Sequence, residues 1–121
     1  MSIEVQTLLS SKARKVGASE SSPDFRAIFL DALNYSIGDI NQRTDQTTAA
    51  VATIDATIDL DAQTYQNAIS MGVDFYMAEN GTWNTQNVDS LRAKYFDQLK
   101  WVHTKYLQGI DASVRFGDLD A

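Results

Sequence analysis

Apolar residues recur every three or four positions along most of this sequence, and this spacing constrains the fold more than any other feature. Residues with that period share one face of an α-helix. The clearest case follows Ser22, which can cap a helix, and Pro23, which suits the first helical position. Its apolar stripe comprises Phe25, Ile28, Phe29, Ala32, Leu33, Ile37 and Ile40. The sequence therefore predicts a long second helix that ends near residues 43–44.

A shorter helix is predicted before it, from Ser2 as the cap to Val16, with Gly17 as the residue that ends it. Three basic side chains lie near its C-terminal end, where cations suit the helix dipole. They are Lys12, Arg14 and Lys15. We expect a solvated basic patch there, and a contact with a phosphate or a partner is the alternative.

Two further helices are predicted in the second half of the chain. The third begins after Asp61 as its cap and ends at Asn80. Gly72 lies within its apolar stripe, where glycine weakens a helix, and is tolerated if another helix packs closely there. The fourth runs from residue 87 to 108 and stops at Gly109. Trp101 lies outside its apolar stripe, among charged residues. An aromatic residue there indicates an interface, and the alternative is a single exposed aromatic of the kind common in any protein.

The period changes between the second and third helices. From residue 53 to 60 apolar and polar side chains alternate, which is typical of a half-buried strand. The apolar side comprises Ile54, Ala56, Ile58 and Leu60. The sequence predicts a short strand or hairpin here, whose partner lies either within the chain or in a neighbouring chain.

The last segment, residues 110–121, has sparse apolar residues and predicts an extended C-terminal tail. Such a tail is either disordered alone or docked on a partner by adding a strand to a sheet edge. The predicted fold is thus mainly α. It is a small four-helix bundle over residues 1–109, with a short β-strand or hairpin between helices 2 and 3 and an extended C-terminal tail.

Composition and motifs point away from an enzyme. The formal net charge of −6 argues against a free-standing DNA-binding domain, and the chain has no Cys for thiolate catalysis or metal binding. His103 is the only histidine, and we interpret it as structural or solvated. Asp55, Asp59 and Asp61 lack the glycine and glutamate of a calcium loop. We therefore predict no catalytic residues, no metal site, no cofactor and no membrane span.

Three stretches of the sequence resemble one protein family. They are VQTLLSSKARKVG at residues 5–17, FLDALNYSIGDINQRTD at 29–45 and ATIDATIDLDAQTYQNAISMGVDFYMAENGTWN at 52–84. Together with the order of predicted elements, over residues 2 to 110, they resemble the head-to-tail connector (adaptor) proteins of tailed bacteriophages. The glycine in the third helix and the acidic face of the strand are not tied to that family.

The resemblance implies a structural subunit of the virion, in a closed ring of about twelve copies below the portal protein that extends the DNA channel toward the tail. Its partners would be the phage portal protein, neighbouring copies of itself and the next tail-side ring protein, and DNA would pass without specific binding. The tail would dock on the portal through Ser113, Val114, Arg115, Phe116 and Leu119. Candidate subunit contacts are Tyr35, Phe75, Phe96 and Trp101. The alternative is a small cytoplasmic helical protein that binds one partner, as a regulator or chaperone-like factor.

Overall fold

A computed structural model describes residues 2–80 and 87–120, with side-chain surroundings given for 2–79 and 87–109. The fold is mainly helical, as predicted. Its elements in chain order are β1 (Ile3–Glu4), α1 (Val5–Val16), α2 (Pro23–Arg43), β2 (Thr57–Ile58), α3 (Ala62–Asn80) and α4 (Val88–Asp120). Helix α3 packs against both α2 and α4, and α2 also contacts α4, so the core lies between the three long helices.

Helix α2 begins and ends where the sequence predicts. The Ser22 side chain accepts a hydrogen bond from the Phe25 amide at 3.3 Å, and Pro23 occupies the first turn. The helix ends at Arg43. Every residue of the predicted stripe is buried except Ile28, which is partly buried against the core.

Two asparagines of α2 hold the long connection that follows it. The Asn34 side chain donates to the Val51 carbonyl at 3.0 Å and accepts from the Val51 amide at 2.7 Å. Asn41 makes the same pair of hydrogen bonds with Thr48, at 2.9 and 3.2 Å. These side chains thus satisfy backbone groups of a segment that has no strand partner there.

The predicted strand is present but pairs with the N-terminus. β2 is antiparallel to β1, with Ile3 opposite Ile58 and Glu4 opposite Thr57. Of the two predicted alternatives, the structure therefore has a single short strand and not a hairpin between helices 2 and 3, and its partner lies within the chain. Regular strand pairing covers only two residues of β2. The predicted alternation of buried and exposed side chains extends further, since Ile54, Ile58 and Leu60 are all buried.

This pairing also moves the start of α1. Residues 3–4 are extended, so Glu4 rather than Ser2 occupies the N-cap position and makes no side-chain capping bond. The end is as predicted, because Gly17 has a φ of 74°, in the left-handed region that favours glycine.

The C-terminal segment differs from the prediction. α4 continues past Gly109 to Asp120, where the sequence predicts an extended tail. One glycine costs a helix about 1 kcal/mol but does not end it unless the chain turns away there. No proline interrupts the remaining residues.

Gly72 occupies the closest approach between α3 and its neighbours. A Cβ atom built there would lie against the Ser36 hydroxyl, 2.7 Å from the Ser36 Cβ and 2.8 Å from the Tyr95 Cε1. Ser36 belongs to α2 and Tyr95 to α4, so this glycine lets all three helices meet. The close packing that the sequence required for Gly72 is therefore present.

Candidate functional site

The large apolar side chains on the surface are the first candidates for a functional site. Tyr35 is 63% exposed, Trp101 43% and Phe96 38%, so three of the four predicted interface residues are accessible. Phe75 is only 3% exposed and belongs to the core. It was predicted as an exposed residue because it lies off the main stripe of α3. Helix α3 has a second buried face besides that stripe, and Phe75 belongs to this second face.

The exposed rings of Tyr35 and Phe96 are connected through the half-buried Tyr76 and the buried Phe75. The ring centroids of Tyr35 and Tyr76 are 5.3 Å apart, and Phe75 contacts both Tyr76, at 4.9 Å, and Phe96, at 6.0 Å. Arg92 stacks over the Phe75 ring at 5.6 Å from its centroid. A continuous aromatic cluster therefore crosses α2, α3 and α4.

A carboxylate lies inside this cluster. Asp39 Oδ2 accepts hydrogen bonds from the Tyr76 hydroxyl at 2.5 Å and from the Tyr95 hydroxyl at 2.7 Å. The Tyr95 hydroxyl also lies 3.3 Å from the buried Ser36 Oγ. No pattern in the sequence predicts this network, although Ser36 and Asp39 are polar residues directly beside the apolar stripe of α2. The group links all three long helices and leaves these polar atoms paired.

Burial and hydrogen bonding hold the protons on both tyrosines. Burial raises the pKa of Tyr95 above its usual range, and the Asp39 carboxylate adds to that effect. Burial has the largest effect on Tyr76 and raises its pKa as well, and the hydrogen bond to Asp39 raises it further. The folded protein therefore keeps protons that an unfolded chain loses near pH ~10.

We expect the free energy of unfolding to fall as the pH rises above about 10, because the unfolded state then binds fewer protons than the folded state. Tyr95 alone gives a slope of about 1.4 kcal/mol per pH unit. Burial lowers the pKa of Lys12 below 10.5, which has the opposite effect but only below its unfolded value. Urea unfolding between about pH 9 and 12 measures the slope, and Tyr95→Phe should flatten it. A flat wild-type curve would show that the hydroxyls ionise freely.

A groove beside this network opens between α2 and α3. It is lined by Ile28, Asp31, Ala32, Tyr35, Tyr76 and Glu79. Asp31 and Glu79 are exposed, and among the described side chains neither has an ion-pair partner. The groove therefore presents an aromatic wall between two carboxylates.

A face of opposite charge lies on α4, on a different side of that helix from Phe96. Trp101 is five residues after Phe96, which places it about 140° further around the helix axis. The Lys105 ammonium lies 5.6 Å from the centroid of the Trp101 ring. Lys94 and Asp97 lie on the same side of the helix. With Lys105, this side therefore has two lysines and one aspartate, and a net charge of +1. We call Lys94, Trp101 and Lys105 the Trp101 face.

The predicted basic patch of α1 is partly buried rather than solvated. Lys12 forms an ion pair with Asp74 of α3 at 2.9 Å and donates to Ser70 at 2.8 Å, with only 6% of its side chain exposed. Lys15 binds the other oxygen of Asp74 at 2.9 Å and is 41% exposed. The expectation of a solvated patch is wrong for Lys12, because α1 packs this side chain against α3. The cluster fastens α1 to α3.

His103 has a structural contact, as the sequence indicated. Its Nδ1 lies 2.8 Å from the Arg43 carbonyl oxygen at the end of α2. The bond satisfies one of the carbonyls that a helix end leaves free.

The predicted docking residues Ser113, Val114, Arg115, Phe116 and Leu119 lie where the backbone continues α4, and their side chains are outside the described part. Among the described residues, no group of three or more His, Cys, Asp or Glu side chains is placed to hold a metal ion. No helix in that part is long and apolar enough to cross a membrane.

Comparisons with protein-family models, curated proteins and solved structures find no match to this chain.

Proposed function

We propose that this protein is a structural subunit of a phage head-to-tail connector ring, which binds below the portal and extends the DNA channel toward the tail. The observation that supports this most is the order of the elements: a short helix, a long helix, a strand, a helix and a long final helix. That order, together with the local sequence likeness, is what the resemblance to connector proteins implies.

The surface is suited to a protein that works by binding other proteins. Tyr35 and Trp101 are exposed aromatic residues on separate faces, and exposed aromatic residues are enriched at protein interfaces. A ring subunit needs two different faces that are complementary to each other, one for each neighbour. The net charge of −6 suits a channel wall past which DNA moves, since negative charge repels phosphates.

The C-terminal residues are the proposed contact with the portal. Because the backbone there is helical in the isolated chain, we expect them to dock as a continuation of α4 and not as an added strand. A helical segment would place Phe116 and Leu119, three positions apart, on one face as the apolar anchors, whereas Val114 would lie about 200° around the axis from Phe116. The bundle of residues 1–109 carries the contacts between subunits.

The proposal is tested by mixing the purified chain with the portal protein encoded beside it and imaging the mixture by negative-stain electron microscopy. We expect extra density below the portal ring. Deletion of residues 113–121 should abolish this binding while urea unfolding of the bundle changes little, because the deletion leaves every residue of the described core in place.

Single substitutions sharpen that test. Phe116→Ala should weaken portal binding by about tenfold or more, as for a buried anchor residue, whereas Asp118→Ala serves as the matched control nearby. Full binding by the truncated chain would refute the tail assignment. A chain that never binds the portal would instead fit the alternative, a helical protein that serves another partner.

A further inference from the structure

The two charged aromatic surfaces of this chain complement each other. The α2–α3 groove has two exposed carboxylates, Asp31 and Glu79, beside the exposed Tyr35 ring. The Trp101 face has an exposed indole with the Lys105 ammonium over its ring. Lys94, seven residues before Trp101, lies on the same side of α4, and with Asp97 there the net charge of this side is +1. The Trp101 face supplies cations for the carboxylates of the groove, and each surface supplies an aromatic ring on which the ring of the other can stack.

We infer that the groove between α2 and α3 receives the Trp101 face of a second copy of this chain. This inference rests on the proposed ring function and names the two surfaces through which neighbouring subunits would meet. Lys94 and Lys105 are placed against Asp31 and Glu79, and Trp101 packs against Tyr35. Cation–π contacts between lysines and the groove rings add to the charge pairing.

Such an interface is head-to-tail, since a different surface is used on each partner. Repetition of a head-to-tail contact closes into a ring when its rotation divides a full turn. Two chains that each have a net charge of −6 repel one another over most of their surface. Local pairing of opposite charge is therefore needed to fix which surfaces meet, and it makes the association sensitive to salt.

Charge reversal tests the pairing directly. The groove variant carries Asp31→Lys and Glu79→Lys, and the face variant carries Lys94→Glu and Lys105→Glu. In each variant alone the two surfaces have like charges, so self-association should weaken by at least about tenfold. In an equal mixture the reversed surfaces are complementary again, and association should return. The mixed pair has the same total charge as two wild-type chains.

Sedimentation equilibrium up to about 1 mM chain measures these associations, since that range detects contacts as weak as −4 kcal/mol or so. The wild type should associate, and added NaCl should weaken that association. Asp55→Lys with Asp59→Lys is the matched control, because it makes the same charge change at two exposed residues beside β2. It should associate like the wild type. All four substituted positions in the test variants are exposed, so circular dichroism should show folded protein.

Three results would overturn the inference. They are a wild type that stays monomeric at about 1 mM, variants that still associate alone, or a mixture that fails to regain association. Portal binding separates this inference from the proposed function. A chain that binds the portal without self-pairing leaves the connector proposal standing. One that pairs through these surfaces but ignores the portal refutes the connector and keeps the pairing.

Discussion

Replacing Asp74 with alanine should destabilise the protein by about 3–5 kcal/mol, the cost of leaving a buried charge without its partner. Lys12 is buried, and Asp74 is its counterion at 2.9 Å. Burial lowers the pKa of Lys12, and attraction to Asp74 raises it in opposition. Without Asp74 the remaining effects, burial and repulsion from Lys15, both lower the pKa of Lys12, so the side chain must bear an unpaired charge or lose its proton. Urea unfolding of the wild type and Asp74→Ala measures the difference.

The pH dependence identifies the cause of that loss. When a lysine has a lower pKa in the folded state, the unfolded state binds more protons, so stability rises with pH until the unfolded value of 10.5. Asp74→Ala should therefore regain stability as the pH increases toward that value. A pH-independent loss would indicate lost packing instead.

Two controls separate the buried pair from the exposed one. Lys15 is 41% exposed, so Lys15→Met should cost no more than about 1 kcal/mol. The double variant Lys12→Met with Asp74→Leu removes both buried charges together and should be near neutral or stabilising, because well-packed apolar side chains can replace a buried ion pair. A loss below about 1 kcal/mol for Asp74→Ala would contradict the assignment of Lys12 as a buried cation.

Replacing Gly72 with alanine should also destabilise the fold, by about 2 kcal/mol or more, although alanine is the better helix former by about 1 kcal/mol. The new methyl group would meet the Ser36 side chain and the Tyr95 ring, both at distances below ordinary contact. The Ser36 Cβ is attached directly to the backbone of α2, so the helices themselves must separate. The shift would also strain the hydrogen bonds of the Tyr95 hydroxyl to Asp39 and Ser36.

Gly38 provides the matched control for Gly72. It also lies inside a long helix, α2, but a Cβ there meets nothing within 4 Å. Gly38→Ala should therefore stabilise the protein by about 0.5–1 kcal/mol, through helix propensity alone. Thermal or urea unfolding of both variants gives the two signs. Equal stabilisation by both substitutions would contradict the close packing of α2, α3 and α4.

Much of the architecture could be predicted from the sequence. The start of α2 at Ser22 and Pro23, its end at Arg43, the cap of α3 at Asp61 and the left-handed Gly17 are all confirmed. The alternation around β2 also predicted which residues are buried. These features depend on residues within a few positions of one another.

Other predictions failed where the answer depends on a distant segment. β2 pairs with β1, more than fifty residues earlier in the chain. Phe75 is buried because α3 packs against two helices, and the apolar stripe in the sequence indicates only one of the two buried faces of α3. Of the candidate site, the exposure of Tyr35, Phe96 and Trp101 was predicted correctly, but the aromatic cluster that links Tyr35 and Phe96 around the half-buried Asp39 was not.

The sequence by itself determined the helices, their caps and the apolar faces, because capping, helix propensity and hydrophobic period are local properties of the chain. Only the tertiary structure decided that Lys12 meets Asp74, that Asp39 binds two tyrosines and that Gly72 sits between three helices. Those contacts join residues tens of positions apart, and a polar residue buried with its partner has the same sequence pattern as a solvated one. Packing alone distinguishes the two, since it removes water and leaves the partner as the remaining source of hydrogen bonds and charge.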